Sequence, residues 1–269
     1  MQETKLSKIH RKRLALAVAS AITFVPMIAV AATPASTQLP GQGYVLAGTA
    51  TGTYSAGASI GTVTVGAGNT IIQWGGTPYT NSVTASINSA GTAGFNIGAS
   101  AALTVENTAS GTASVLNIDA TSNASQILGA LTASSATAAD APTLFVANQN
   151  GIVVGSGATI VAPTGIGFLN SAFNNNPTTG ALADFVAGTA DLVFTGATGG
   201  VNIEAGANLS GVSSTLLIAG AGTVNVNFAG ITQPGGTTGG IPLIVDGERP
   251  SSPPLPMSPS RRAVSPRPA

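Results

Sequence analysis

The chain has 269 residues, nine lysines and arginines against nine acids, one histidine and no cysteine, and only 7% of it is charged. All nine cations and the histidine lie in the first thirteen residues or after Glu248, so the body from Leu14 to Gly247 carries none. Without cations the body has no electrostatic source of affinity for phosphates, which excludes a nucleic-acid partner, and it also lacks the usual general base, activated nucleophile and soft-metal ligands. Carboxylate chemistry and oxygen-ligand calcium sites remain open, and no cofactor is expected.

The first element reads as an export signal. A basic run ending at Arg13 precedes the apolar stretch Leu14 to Val25, Pro26, and small residues at Ala29 and Ala31, which predicts cleavage after Ala31. The stretch of about 12 residues is too short for a membrane span, which needs roughly 20. Residues 32–248 then form one domain large enough for a substantial core. At 43% apolar residues and a mean hydropathy of +0.38 it is too hydrophobic for disorder, and it must fold without disulfides.

Short apolar runs bounded by Gly, Asn, Ser or Thr predict strands at Thr62 to Val65, Thr70 to Trp74, Ala102 to Glu106, Ser114 to Ile118 and Leu144 to Ala147. Further strands are predicted at Ile152 to Val154, Leu192 to Phe194, Val201 to Glu204, Leu216 to Ala219 and Val224 to Phe228. Ala181 to Val186 is the best helical segment and Ser125 to Leu131 a weaker one. After Glu248 the composition changes: residues 249–269 hold seven of the sixteen prolines and four arginines, which predicts a disordered or polyproline-like tail. The abrupt switch also raises the hypothesis of an interrupted reading frame.

Strands every 8 to 15 residues fit a sandwich or a solenoid. Three details favour the solenoid: the reused Gly-Ala phrases at Gly155 to Ile160, Gly199 to Ile203 and Gly220 to Val226; strand-adjacent Asn202, Asn208, Asn225 and Asn227, placed for amide ladders; and small interior residues. The expected fold is all-β, a right-handed parallel β-helix with an amino-terminal cap and small extra β elements. Such an interior tolerates no unpaired charge, which accounts for the cation-free body.

Several segments then occur in a telling order: Leu39-Pro40-Gly41-Gln42-Gly43 with Gly48, Ile72-Gln73-Trp74, Phe95-Asn96-Ile97-Gly98, Leu116-Asn117, Ser125-Gln126-Ile127-Leu128-Gly129, and Leu144 to Ile152. In these the chain resembles the secretion domain at the amino end of filamentous-haemagglutinin-type exoproteins, the passengers of two-partner secretion. The resemblance covers roughly Leu39 to Phe228, with Trp74, Phe95, Asn96, Gly98, Asn117, Ser125 and Gly129 as motif residues. It implies a capped right-handed β-helix recognised in the periplasm by the polypeptide-transport-associated domains of an outer-membrane barrel transporter. It further implies a product secreted from, or held on the surface of, a Gram-negative bacterium. The full exoprotein would be an adhesin, haemagglutinin or toxin carrier that meets a host or cell-surface receptor. The chain departs from the family in an insertion, Gly75 to Gly94, expected to be a hairpin or loop, in Asn148-Gln149-Asn150-Gly151 where Asn-Pro-Asn-Gly is usual, and in its tail.

Asn150-Gly151 predicts a primed turn with positive φ at both residues. The turn by itself reads as structural; with the resemblance, Asn148, Asn150, Gly151 and Ile152 are also expected to be the transporter-recognition turn, beside Leu144 to Ala147 as a candidate exposed strand open to β-augmentation. Two other classes of function are weighed against secretion targeting. A self-sufficient surface adhesin or matrix protein would bind cells by itself. A β-helical carbohydrate-active enzyme would use Asp184, Asp191 and Glu204, with Trp74 or Tyr79 stacking on sugar. The scattered acids read more simply as solvated turn residues, and the chain is not expected to be an enzyme.

Overall fold

Most apolar runs pair in parallel with a run far away in the sequence and not across a hairpin. The structure is a computed structural model, and it describes residues 32–52, 54, 57–78, 83, 85–88, 93–173, 176–188, 197–214, 216–220, 223–226 and 243–247. The signal segment, Tyr79, Asp191, the strand expected at Leu192 to Phe194, Asn227, Phe228 and residues 249–269 lie outside the described residues.

The described residues are mostly strand, arranged in three sheets. Sheet I contains β1 (Gly43–Ala47), β4 (Gly68–Trp74), β5 (Ala85–Ile87), β7 (Ala113–Asp119), β10 (Thr143–Ala147), β13 (Ile166–Asn170), β16 (Leu216–Gly220) and β18 (Leu243–Gly247). Sheet II contains β2 (Ala50–Gly52), β3 (Ile60–Val65), β6 (Ala102–Asn107), β9 (Ala130–Ser135), β12 (Thr159–Ala162) and β15 (Asn208–Val212). Sheet III contains β8 (Ser125–Ile127), β11 (Ile152–Val154), β14 (Gly200–Ile203) and β17 (Thr223–Val226). From β6 to β17 the chain visits sheets II, I and III in that order, again and again, and each visit adds a strand parallel to the last. Leu103 pairs with Leu131 and Leu131 with Ile160, steps of 28 and 29 residues.

Alternation turns one side chain in two inward. Val115, Leu144, Ile166 and Leu216 stack in one register column and Val146, Phe168 and Ile218 in the next. These join Val63, Leu103, Leu131 and Ile160 of sheet II and Ile127, Val154 and Ile203 of sheet III in a single buried core. In sheet I the outward residues are also apolar. Ile71, Leu116, Ile118, Ala147 and Leu169 are covered by Leu182 and Phe185 of the one described α-helix, α1 (Gly180–Ala187). Coverage on both faces is what continuous apolar runs in a parallel sheet require. The helix expected at Ala181 to Val186 is therefore present, on the outside of sheet I.

The carbonyl end of α1 is tied to the sheet by Asn69, whose amide donates to the Phe185 carbonyl at 2.8 Å, while Gly188 (φ 70°) closes the helix in the left-handed region. Asn69→Ala should cost about 1 kcal/mol, the net worth of one such bond, seen as a lower urea midpoint at unchanged slope.

Three expectations change. Ser125 to Leu131 is not helical: it supplies β8 and the start of β9, because pairing with Ile152–Val154 and with Leu103 overrides local propensity. Gly155 to Ile160 does not repeat the other Gly-Ala phrases. It turns from sheet III into sheet II, whereas Gly199 to Ile203 and Gly220 to Val226 both enter sheet III and pair with one another. The insertion does not pair with itself among the described residues. Its β5 runs antiparallel to β1, which in turn lies antiparallel to β4.

At one end of the stacks sheet I finishes in the antiparallel strands β1 and β5, and sheet II in β2, which pairs antiparallel with β3. The preceding segment is pinned to the first circuit, with Gly98 N–H donating to Gln38 O at 2.8 Å and Ser100 N–H to Ser36 O at 2.7 Å. Tyr54 adds a hydroxyl bond to Pro40 O at 3.1 Å, and burial pushes its phenol well above the ordinary range.

Candidate functional site

At the corner where sheet I hands the chain to sheet III, residues far apart in sequence form one buried polar network. Trp74 ends β4 and is fully buried; its indole N–H donates to Asn117 Oδ1 at 3.0 Å, and Asn117 Nδ2 donates onward to Phe145 O at 3.2 Å. The Trp74 ring meets Phe95 edge-on, with centroids 5.8 Å apart at 61°. Phe95 N–H donates to Asp119 Oδ2 at 2.8 Å, and the same oxygen accepts the Ser125 hydroxyl at 2.8 Å. The other oxygen of Asp119 accepts Thr121 N–H at 3.0 Å and the Thr121 hydroxyl at 2.6 Å. With no cation among the described residues, this carboxylate is held by four donors, the condition for burying such a charge.

The next circuit builds on this one. Asn148 Nδ2 donates to Ser125 Oγ at 3.0 Å and to Asn123 O at 2.9 Å, while its Oδ1 accepts Asn150 N–H at 2.7 Å. Asn150 Nδ2 reaches back to Thr121 O at 2.8 Å. One circuit further, Asn170 Nδ2 donates to Asn148 O at 2.9 Å and Gln149 O at 3.1 Å. The paired residues Ile118, Ala147 and Leu169 share a register level, so Asp119, Asn148 and Asn170 follow at one level as a stacked polar column. Asn170 Oδ1 has no partner among the described residues.

Trp74, Phe95, Asn117, Ser125, Asn148 and Asn150 thus lie in one connected cluster. The remaining motif residues hold the adjoining edge of β8. Asn96 Oδ1 accepts Gln126 N–H at 2.8 Å, and Ile97 bridges to Ile127. A Cβ on Gly129 would strike the Gly98 and Ala101 carbonyls, and one on Gly98 would strike Ala35 O, so glycine is required where these turns stack. Ile152 points into the core.

The turn differs from expectation in two respects. Among the described residues Asn88 is the one non-glycine with positive φ, so Asn150 is not in the left-handed region; Gly151 is, at φ 111°. The turn joins strands of two different sheets, so primed hairpin geometry does not arise; the rigidity comes from side-chain bonds. Leu144 to Ala147 is no exposed edge either, since β10 is paired on both sides, with β7 and β13. Gly151→Ala should therefore destabilise more than Asn150→Ala. The first forces a strained φ on alanine and sets its Cβ 3.0 Å from Gly200 O, at about 1–3 kcal/mol; the second loses about 1 kcal/mol with the bond to Thr121. Urea midpoints of the two variants check the order.

Asp119 also corrects the reading of the acids as solvated turn residues: it is buried, and it is the hub of the cluster. A signal for it exists in the sequence. Val115-Leu116-Asn117-Ile118-Asp119, Leu144-Phe145-Val146-Ala147-Asn148 and Ile166-Gly167-Phe168-Leu169-Asn170 each end an apolar run on a short polar residue. This is the amide ladder, displaced from where it was expected: Asn208 bonds its own strand at Ser210, and Asn202 faces Asn225 across the β14–β17 register. Of the acids weighed for sugar chemistry, Asp184 is on α1 outside sheet I and Glu204 follows β14 of sheet III, where it caps Ser156 N–H at 3.1 Å. Among the described residues no three acids gather to hold a metal ion. A cleft of about 120 Å³ beside the cluster is lined by Ile118, Asp119, Gln149, Ser171 and Phe173, among others; ligand sites are typically about 300–1,000 Å³.

No family model matches the chain, and no curated protein matches it.

Proposed function

We propose that this chain is the amino-terminal secretion domain of an exoprotein exported by two-partner secretion, a right-handed parallel β-helix whose stacked strands are closed by the β1–β2 cap. Its partner is an outer-membrane barrel with periplasmic polypeptide-transport-associated domains, and its destination is the cell surface or the medium, where the complete exoprotein acts as an adhesin. One observation supports this reading above the others: residues that carry the resemblance to that family, spread from Trp74 to Asn150, meet in one network. A chance likeness of scattered short motifs has no reason to converge. Recognition rests on the bonded turn from Asn148 to Ile152, with its side chains fixed to the circuit before, and not on a free edge at Leu144 to Ala147.

Pulse-chase secretion with and without a partner barrel of this class tests the proposal. Export should require the barrel, and Asn148→Ala should lower export while signal cleavage continues. Equal export without the barrel overturns it.

A further inference from the structure

β1 is held between two strands that both come later in the chain. Gly43, Tyr44 and Val45 pair with Trp74, Gln73 and Ile72 of β4 on one side and with Ile87, Ser86 and Ala85 of β5 on the other. β4 is secured independently along its far edge by β7. With β1 withdrawn, β4 and β5 would frame a slot with two unpaired strand edges, a state that favours capture of another strand.

The slot is selective. Gly43 carries no side chain because a Cβ there would lie 2.8 Å from Trp74 Cζ3, and a Cβ on Gly41 would collide with Ala93 O. Val45 is fully buried. Gly41 N–H donates to Ala93 O at 3.0 Å, and Gly75 N–H donates to Gln42 O at 2.9 Å. The ladder to β4 is interrupted between Val45 and Ala47, and β1 ends at Ala47, followed by Gly48 in the left-handed region at φ 74°.

We propose that the β4–β5 slot is a docking site for an extended, uncharged Gly-x-Gly-x-Val strand, and that β1 of a second copy fills it, giving self-association by strand exchange. A second copy carries the one sequence already seen to fit. β1 precedes every other described strand, so it can leave without unthreading any of them, and Gln38 to Ala50 bears no charge to keep copies apart. Exchange replaces each contact by its identical counterpart, which makes it a low-cost route to a dimer. The proposal does not depend on the export reading, and its failure would leave that reading untouched.

The absence of native cysteine allows a direct test. Tyr44 and the exposed Ser86 are opposed Cα partners, and antiparallel partners about 4.5–5.5 Å apart suit a disulfide. Two chains, one with Tyr44→Cys and one with Ser86→Cys, are mixed in urea, refolded together over a concentration series and oxidised. A covalent heterodimer should form, rise with concentration, and be lost when Gly43→Val is added to the Tyr44→Cys chain. A single chain with both cysteines, refolded dilute, should close on itself. Absence of the heterodimer, its persistence with Gly43→Val, or failure of the double-cysteine chain to close each overturns the proposal.

Discussion

Asp119→Ala is expected to lower the stability of the chain by about 2–6 kcal/mol, because two buried donors lose their acceptor and each orphaned group costs about 1–3 kcal/mol. Those donors are the Phe95 N–H and the Ser125 hydroxyl, each 2.8 Å from Asp119 Oδ2. Thr121 is only partly buried and can turn to water, so it adds less. Asp119→Asn should fall between: it keeps one oxygen but sets an NH₂ against donors it cannot accept from. Because the Ser125 hydroxyl is itself one of the donors Asp119 would orphan, the double variant Asp119→Ala, Ser125→Ala should lose less than the sum of the single losses. Urea unfolding followed by the strand signal in circular dichroism decides the matter. A loss within about 0.5 kcal/mol, the range of ordinary surface substitutions, would return Asp119 to the class of solvated turn acids.

Trp74→Ala should cost about 3–5 kcal/mol, as removal of a fully buried large aromatic usually does. The ring fills the junction of β1, β4 and Phe95, so the loss combines a cavity, the edge-on contact with Phe95 and the orphaned Asn117 Oδ1. Trp74→Phe separates these, since it retains much of the volume and forfeits the indole bond, for about 1–3 kcal/mol. In the unaltered chain Trp74 is the only tryptophan, so its emission reports on this corner alone. Its red shift in urea should coincide with loss of the strand signal if the cap and the stacks unfold as one unit. An earlier shift would show that the cap opens first.

Much of the candidate site was legible residue by residue, but not as a site. Trp74, Asn117, Ser125, Asn148 and Asn150 could each be singled out from short motifs, yet their bonding partners lie 23 to 43 residues away across register levels that no local pattern specifies. The turn at Asn150-Gly151 shows the limit most clearly. The dipeptide signals positive φ, and Gly151 adopts it; Asn150 instead spends its amide on Thr121 of the previous circuit, and that partner exists only once the circuits are stacked.

By itself the sequence determined the strand-rich class, the short helix at Ala181 to Val186 and the freedom of the body from cationic chemistry. These follow from alternation, local propensity and composition, which need no partner. Only the tertiary structure decided which strands pair, that Leu144 to Ala147 lies inside a sheet, and that Ser125 to Leu131 is extended. It alone decided that β1 is clasped between β4 and the inserted β5, and that Asp119 is buried. The physical reason is common to all of these: parallel pairing places each residue against neighbours a full circuit distant, so burial and hydrogen-bond satisfaction are properties of the stack and not of the segment.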